Sequence, residues 1–196
     1  MTLQPSVRLH AFLPYSRANG PGWRAVLWTQ GCSLGCPGCC NPGTHPADEG
    51  ECASVDSLAA RIEAIASGIE GITLSGGEPL EQAGPIASLL DRVRSRTSLS
   101  VILFTGFEWA ELEALDAARA VLAHVDVVFA GRYRPGNPST AYWAGPWKTR
   151  HLITCRNSAP ELDAVAEPEV VLLDDASCVV TGVRPPNDRS PAREDV

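Results

Sequence analysis

Between residues 31 and 43 the chain packs Gly31, Gly35, Pro37, Gly38, Pro42 and Gly43 around three cysteines, Cys32, Cys36 and Cys39, in the pattern Cys-x3-Cys-x2-Cys. Glycine and proline at that density rule out a regular helix or central strand, so the segment is a loop. A loop suits a metal centre, because successive thiolates must turn inward toward one point. A four-iron cluster normally takes four thiolates; a trio leaves one iron open to a small molecule. Zinc is the competing reading. Cys36-x2-Cys39 has knuckle spacing, and Cys40, Cys52 or His45 would complete four ligands. No second Cys-x2-Cys is present, and Ser75-Gly76-Gly77-Glu78-Pro79 follows as a glycine-rich strand end, a pairing that answers a cluster with a bound amino acid group better than it answers zinc. Inert buried thiols are the third possibility.

Length and charge narrow the setting. The chain has 196 residues, 44% of them hydrophobic, enough for a core in one domain, here expected over residues 1–183. Residues 184–196, rich in Pro, Arg, Asp and Ser, read as a flexible C-terminal tail. A formal net charge of -7 disfavours nucleic acid as a partner, since phosphate binders need a basic face. Seven cysteines are an odd number, and Cys32, Cys36, Cys39 and Cys40 crowd together, so ligand chemistry in a reducing compartment is favoured over disulfides. No signal peptide is visible and no apolar run approaches the roughly 20 residues of a membrane span. The chain is therefore read as soluble and cytoplasmic, with no membrane partner.

The remaining sequence alternates strands and helices. Strands are predicted at Val7 to Leu13, Ala25 to Thr29, Gly71 to Ser75, Leu99 to Thr105 and Val125 to Ala130. Helices are predicted from Ser54, an N-cap candidate, to Gly68, from about Pro85, and from Glu108 to Leu122. Later strands are expected at Arg150 to Cys155, Glu169 to Asp174 and Cys178 to Thr181, the last two as a hairpin. Such alternation implies α/β architecture with a mostly parallel sheet and active residues at the strands' C-terminal ends.

On these motifs the chain resembles the radical S-adenosylmethionine (SAM) enzymes, whose Cys-x3-Cys-x2-Cys holds a 4Fe-4S cluster. Within them it is most similar to the activating proteins of anaerobic ribonucleotide reductase, and more distantly to pyruvate formate-lyase activating enzyme. Further segments carry the likeness: Asn19-Gly20-Pro21-Gly22 with Arg24, Cys36-Pro37-Gly38-Cys39-Cys40-Asn41, Phe104-Thr105-Gly106-Phe107 with Glu111-Leu112, and Asp126-Val127-Val128 with Gly131-Arg132-Tyr133. Cys40 replaces the usual aromatic residue. Trp147-Lys148-Thr149-Arg150-His151 keeps only the aromatic-basic start of the family's Trp-Arg-Gly-Ser-Ser-Asn-Gln, a departure that bears on partner choice.

The resemblance implies an open partial (β/α) barrel of the radical SAM type. It implies Cys32, Cys36 and Cys39 as cluster ligands, and SAM held by Gly76, Gly77 and Glu78 at its amino end, by Gly38 and Cys39, and by Thr105 near the sugar or adenine. Reductive cleavage of SAM would give a 5'-deoxyadenosyl radical. Its expected target is a glycine in a larger glycyl-radical protein, with flavodoxin or ferredoxin as electron donor. Modification of a peptide or small metabolite is the alternative activity, and a non-enzymatic zinc or iron-sulfur module the alternative class. Arg24 and Asp126 have structural readings beside functional ones, His151 is read as surface or strand, and Cys155 and Cys178 as core thiols.

Overall fold

Alternating burial at Val7, Leu9 and Leu13 sets the first strand, β1 (Ser6–Ser16), against β2 (Arg24–Thr29). The computed structural model describes residues 4–134, 148–153, 169–172 and 178–181. Only residues 17–23 join β1 to β2, too few for a crossover, so the pair is antiparallel. On the other side of β1 lies β3 (Glu51–Ser54), also antiparallel, which the sequence pattern does not suggest. Ser54 then caps α1 (Val55–Ile65): its hydroxyl accepts the Ser57 amide, a contact worth about 1 kcal/mol.

From there the chain follows the predicted alternation through β4 (Gly71–Gly76), α2 (Ala83–Arg96), β5 (Ser100–Thr105), α3 (Trp109–Ala114), α4 (Asp116–Leu122) and β6 (Val127–Ala130). The helix predicted from Glu108 to Leu122 is two helices, because Leu115 takes an extended conformation between them. β7 (Thr149–Leu152) closes the order β3-β1-β2-β4-β5-β6-β7. The ladder pairs β2, β4, β5 and β6 in parallel, while β3, β1 and β7 join antiparallel. The sheet is therefore mixed, not mostly parallel as expected: only the strands separated by helical crossovers run the same way. β8 (Glu169–Leu172) and β9 (Cys178–Thr181) form the expected antiparallel pair. The predicted tail and Cys155 lie outside the described residues.

One face of the sheet buries Ala25, Leu27, Ile72, Leu74, Val101, Leu103 and Val128 against Leu58, Ile62, Ile86, Leu89, Leu90, Val93 and Val121 of the helices. Alternation turns Arg24, Val26, Thr73, Ile102 and Phe129 to the other face. Arg24 is fully buried there, donating to Thr73 Oγ1 (2.8 Å), Ile72 O (2.7 Å) and Ser100 O (3.1 Å), so it stitches β2 to β4 and β5. Burial holds its pKa down at about 10. At the start of β6, Asp126 accepts from Arg94 Nη2 (2.6 Å) and from the Val101 amide (2.8 Å). Arg24 and Asp126 thus take their structural readings, at the N-terminal ends of the strands, away from the cysteines.

Candidate iron-sulfur and cofactor site

The four parallel strands end together, and the ends of β2, β4 and β5 carry the predicted site residues. Past β2 the chain enters the cysteine loop at Gly31, whose φ of 99° is a left-handed conformation natural only to glycine. Gly31 N donates to Thr44 O (2.8 Å) and Cys32 N to His45 O (3.2 Å), closing the loop at its neck. Buried Gln30 holds the returning segment, its Nε2 donating to Gly43 O (3.0 Å) and Pro46 O (2.7 Å). Neither this glutamine nor its contacts carry a motif in the sequence.

Cys32, Cys36 and Cys39 are free thiols of intermediate exposure on this loop. Cys39 N donates to Cys36 O (3.2 Å), a turn between the two cysteines, and the Cys39 sulfur accepts the Asn41 amide at 3.4 Å. Burial pushes the Cys32 thiol up. Among the described residues, no three His, Cys, Asp or Glu side chains are drawn to a common point; the thiols share a loop without closing on a centre. Cys40 is exposed beside Cys39. Cys52 lies on β3, its thiol 3.3 Å from Ser6 Oγ, outside the loop altogether. The described donor set is three soft sulfurs with an amide on one of them, which fits an iron-sulfur cluster.

The end of β4 forms the seat of this loop. Gly77 N donates to Thr29 O (2.8 Å) and Glu78 N to Gly31 O (2.9 Å). A Cβ on Gly77 would lie 2.2 Å from Gly31 O and 3.0 Å from Thr44 O, so glycine is required by close packing of the two backbones. Gly76 is constrained twice, by a φ of 100° and by the Thr29 amide nitrogen, which would lie 2.5 Å from a Cβ at this position. Within the loop, the Ser33 amide and hydroxyl both donate to Glu81 Oε1 (2.9 and 2.6 Å).

Glu78 itself is fully buried. Its carboxylate accepts from Leu80 N (3.0 Å), Thr105 Oγ1 (2.9 and 3.0 Å) and Gly106 N (2.7 Å), tying the end of β4 to the end of β5. Burial raises its pKa, opposed by those hydrogen bonds and by Lys148. The Thr105 hydroxyl is committed to the same contact. Gly106 also receives the cysteine loop, since the Leu34 side chain reaches to 2.3 Å of where its Cβ would be.

The end of β6 completes the rim. Arg132 donates to Gly106 O and pairs with both Glu111 oxygens (2.7 and 2.9 Å), while its guanidinium lies 5.5 Å from the Phe107 ring centre. The Thr-Gly-Phe and Gly-Arg-Tyr segments, separate in sequence, are therefore one contact. Lys148, just before β7, donates to Thr105 O (2.8 Å) and Gly131 O (2.7 Å). Sequence reasoning places it only within a divergent segment. The available signal is composition: it is the single lysine in a chain that otherwise uses arginine. His151 on β7 stacks on Trp109 at 3.7 Å, in keeping with a strand role.

All the predicted site residues, Cys32, Cys36, Gly38, Cys39, Gly76, Gly77, Glu78 and Thr105, thus fall at one end of the sheet. Comparison with known proteins agrees with that chemistry. Residues 18–146 match the family described as a 4Fe-4S single cluster domain. The chain is 32% identical over 136 residues to the anaerobic ribonucleoside-triphosphate reductase-activating protein of Enterobacteria phage T4, covering 67% of this chain and 85% of that protein. It is 31% identical to the protein of the same description from Escherichia coli strain K12, over 63% of this chain and 83% of the relative. Among solved structures, QueE from Escherichia coli overlaps 52% of this chain and 53% of its own, at 18% identity and a TM-score of 0.43.

Proposed function

This chain belongs to the anaerobic ribonucleoside-triphosphate reductase-activating protein family, a radical SAM iron-sulfur enzyme family of glycyl-radical activases with a 4Fe-4S cluster, and from that premise we propose how its own residues serve the activity. Cys32, Cys36 and Cys39 would hold the cluster as thiolates. When bound, such a cluster would supply the electron for reductive cleavage of SAM, giving methionine and a 5'-deoxyadenosyl radical that would take a hydrogen atom from a glycine of a larger partner protein. A small low-potential carrier, flavodoxin or ferredoxin, delivers the electron.

The chain's part is positional. Gly76 and Gly77 bring the backbone against the cysteine loop, and their exposed edge receives the amino end of SAM beside Gly38 and Cys39. Glu78 works from behind this surface: with Thr105 it keeps the ends of β4 and β5 in register, so the cofactor meets a rigid floor. The observation that carries the reading is the direct seating of the three-thiol loop on the Gly76-Gly77-Glu78 strand end. In the part of the departing segment that is described, Lys148 reaches Thr105 O and Gly131 O at the rim while His151 on β7 stacks on Trp109, so the segment borders the site as well as the sheet edge.

Anaerobic reconstitution followed by dithionite reduction with SAM tests the reading. Iron and sulfide uptake with 5'-deoxyadenosine release is expected, and deuterium from a labelled glycine in the partner should enter the nucleoside. Cluster uptake without 5'-deoxyadenosine would refute it. No helix among the described residues is long and apolar enough to cross a membrane, and the assay needs no lipid.

A further inference from the structure

Fifteen of the sixteen basic residues are arginine, and the one lysine sits at the rim where β5 and β6 end. Its ammonium is fixed by two main-chain carbonyls, Thr105 O and Gly131 O. A tetrahedral ammonium has three donors; among the described residues these two are taken and no side-chain carboxylate lies within hydrogen-bond distance.

The surroundings of this charge are otherwise acidic or sulfur. Burial lowers the Lys148 pKa, opposed by the negative charge of Glu78, Cys40, Cys36 and Glu108. Arg132 is spent on Glu111 and Gly106 O. The cysteine loop is anchored to the same rim through Leu34 on Gly106 and Gly31 on Glu78 N, so loop and ammonium are held in a fixed relation.

We propose that Lys148 is a positioning residue that holds a positive charge beside the cysteine loop and raises the reduction potential of the cluster held there. The inference rests on the cluster assignment above. Each added electron makes a thiolate-bound cluster more negative, and a fixed cation in a partly desolvated rim stabilises the reduced state more than the oxidised one. The step concerned is a one-electron reduction, with dithionite as the electron source in the test.

The experiment is a dithionite titration of the reconstituted protein without SAM, followed by electron paramagnetic resonance, on wild type, K148M and K148R. K148M is expected to bind iron normally and to show about a tenfold lower ratio of reduced to oxidised cluster at a given potential, a shift of about 59 mV for one electron. K148R, which keeps the charge, should recover at least half of that shift. K148M titrating with wild type overturns the proposal. So does K148M that folds but holds no iron, because the lysine would then act on assembly and not on potential. Failure of wild type itself to bind a cluster would instead overturn the cluster assignment.

Discussion

Replacing Gly77 by alanine isolates what the Gly-Gly-Glu segment contributes to the cysteine loop. Gly77 is not among the glycines of positive φ, so the substitution introduces no left-handed strain and acts through space. The new methyl lies 2.2 Å from Gly31 O and 2.9 Å from its carbon, both backbone atoms. Restoring ordinary contact requires the loop neck to retreat by about 1 Å. The 2.9 Å bond from Glu78 N to Gly31 O does not survive that movement. Its loss costs about 1 kcal/mol, and overpacking adds about 1–3 kcal/mol. The smaller entropy of the unfolded alanine chain returns about 0.4–1 kcal/mol. A net loss of about 2 kcal/mol corresponds to a Tm lower by about 4–8 °C for a chain of this size. Circular dichroism melting gives that shift, and iron per chain after reconstitution should fall with it, because the displaced neck carries Cys32. Gly68→Ala is the control: its nearest neighbour would be Tyr15 at 3.5 Å, an ordinary contact, and the Tm should hold or rise. A G77A protein that melts and binds iron like wild type would show that the close approach is not what the glycine provides.

Alanine at Cys32, Cys36 or Cys39 should abolish both the iron-sulfur absorption and reductive SAM cleavage, while C40A and C52A retain both; loss of cleavage in C40A would refute the ligand set. Glu78→Gln places an amide donor against Leu80 N or Gly106 N and should cost about 1–3 kcal/mol in urea unfolding. Because burial raises the folded pKa of Glu78, its native form keeps a proton the unfolded form has lost, so this part of the stability is full below the usual carboxylate range and fades as pH rises through the folded value. The wild-type advantage over E78Q should accordingly shrink from acid to neutral pH, and an advantage that grows instead would contradict the assignment. Asp126→Asn breaks a nearly fully buried pair with Arg94 and should destabilise by about 3–5 kcal/mol, with iron content per folded chain unchanged.

The glycine and proline density around Cys32, Cys36 and Cys39 is enough to place them on a loop after a strand, because those residues exclude every regular alternative. Periodicity places the helix from Ser54, the strand ending at Ser75 and the strand ending at Thr105 close to where they lie. The helix expected over Glu108 to Leu122 breaks at Leu115, since a 3.6-residue apolar pattern does not report a single extended residue. β3 is invisible to such patterns because four residues paired only with β1 leave too short a run. Its pairing, and that of β7, makes the sheet mixed, for strand direction is set by partners distant in sequence.

For the site, sequence alone determined the kind of chemistry: three thiols at fixed short spacing and a glycine-rich strand end are local facts that survive any packing. The tertiary structure decided what each residue does there. It turned Glu78 inward to bind Thr105 and Gly106, joined Arg132 to Glu111, and set Lys148 on two carbonyls at the rim. Each of these is a contact between residues 17 to 43 positions apart, and no local pattern carries it, because burial and charge neighbourhood exist only once the strands have been brought side by side.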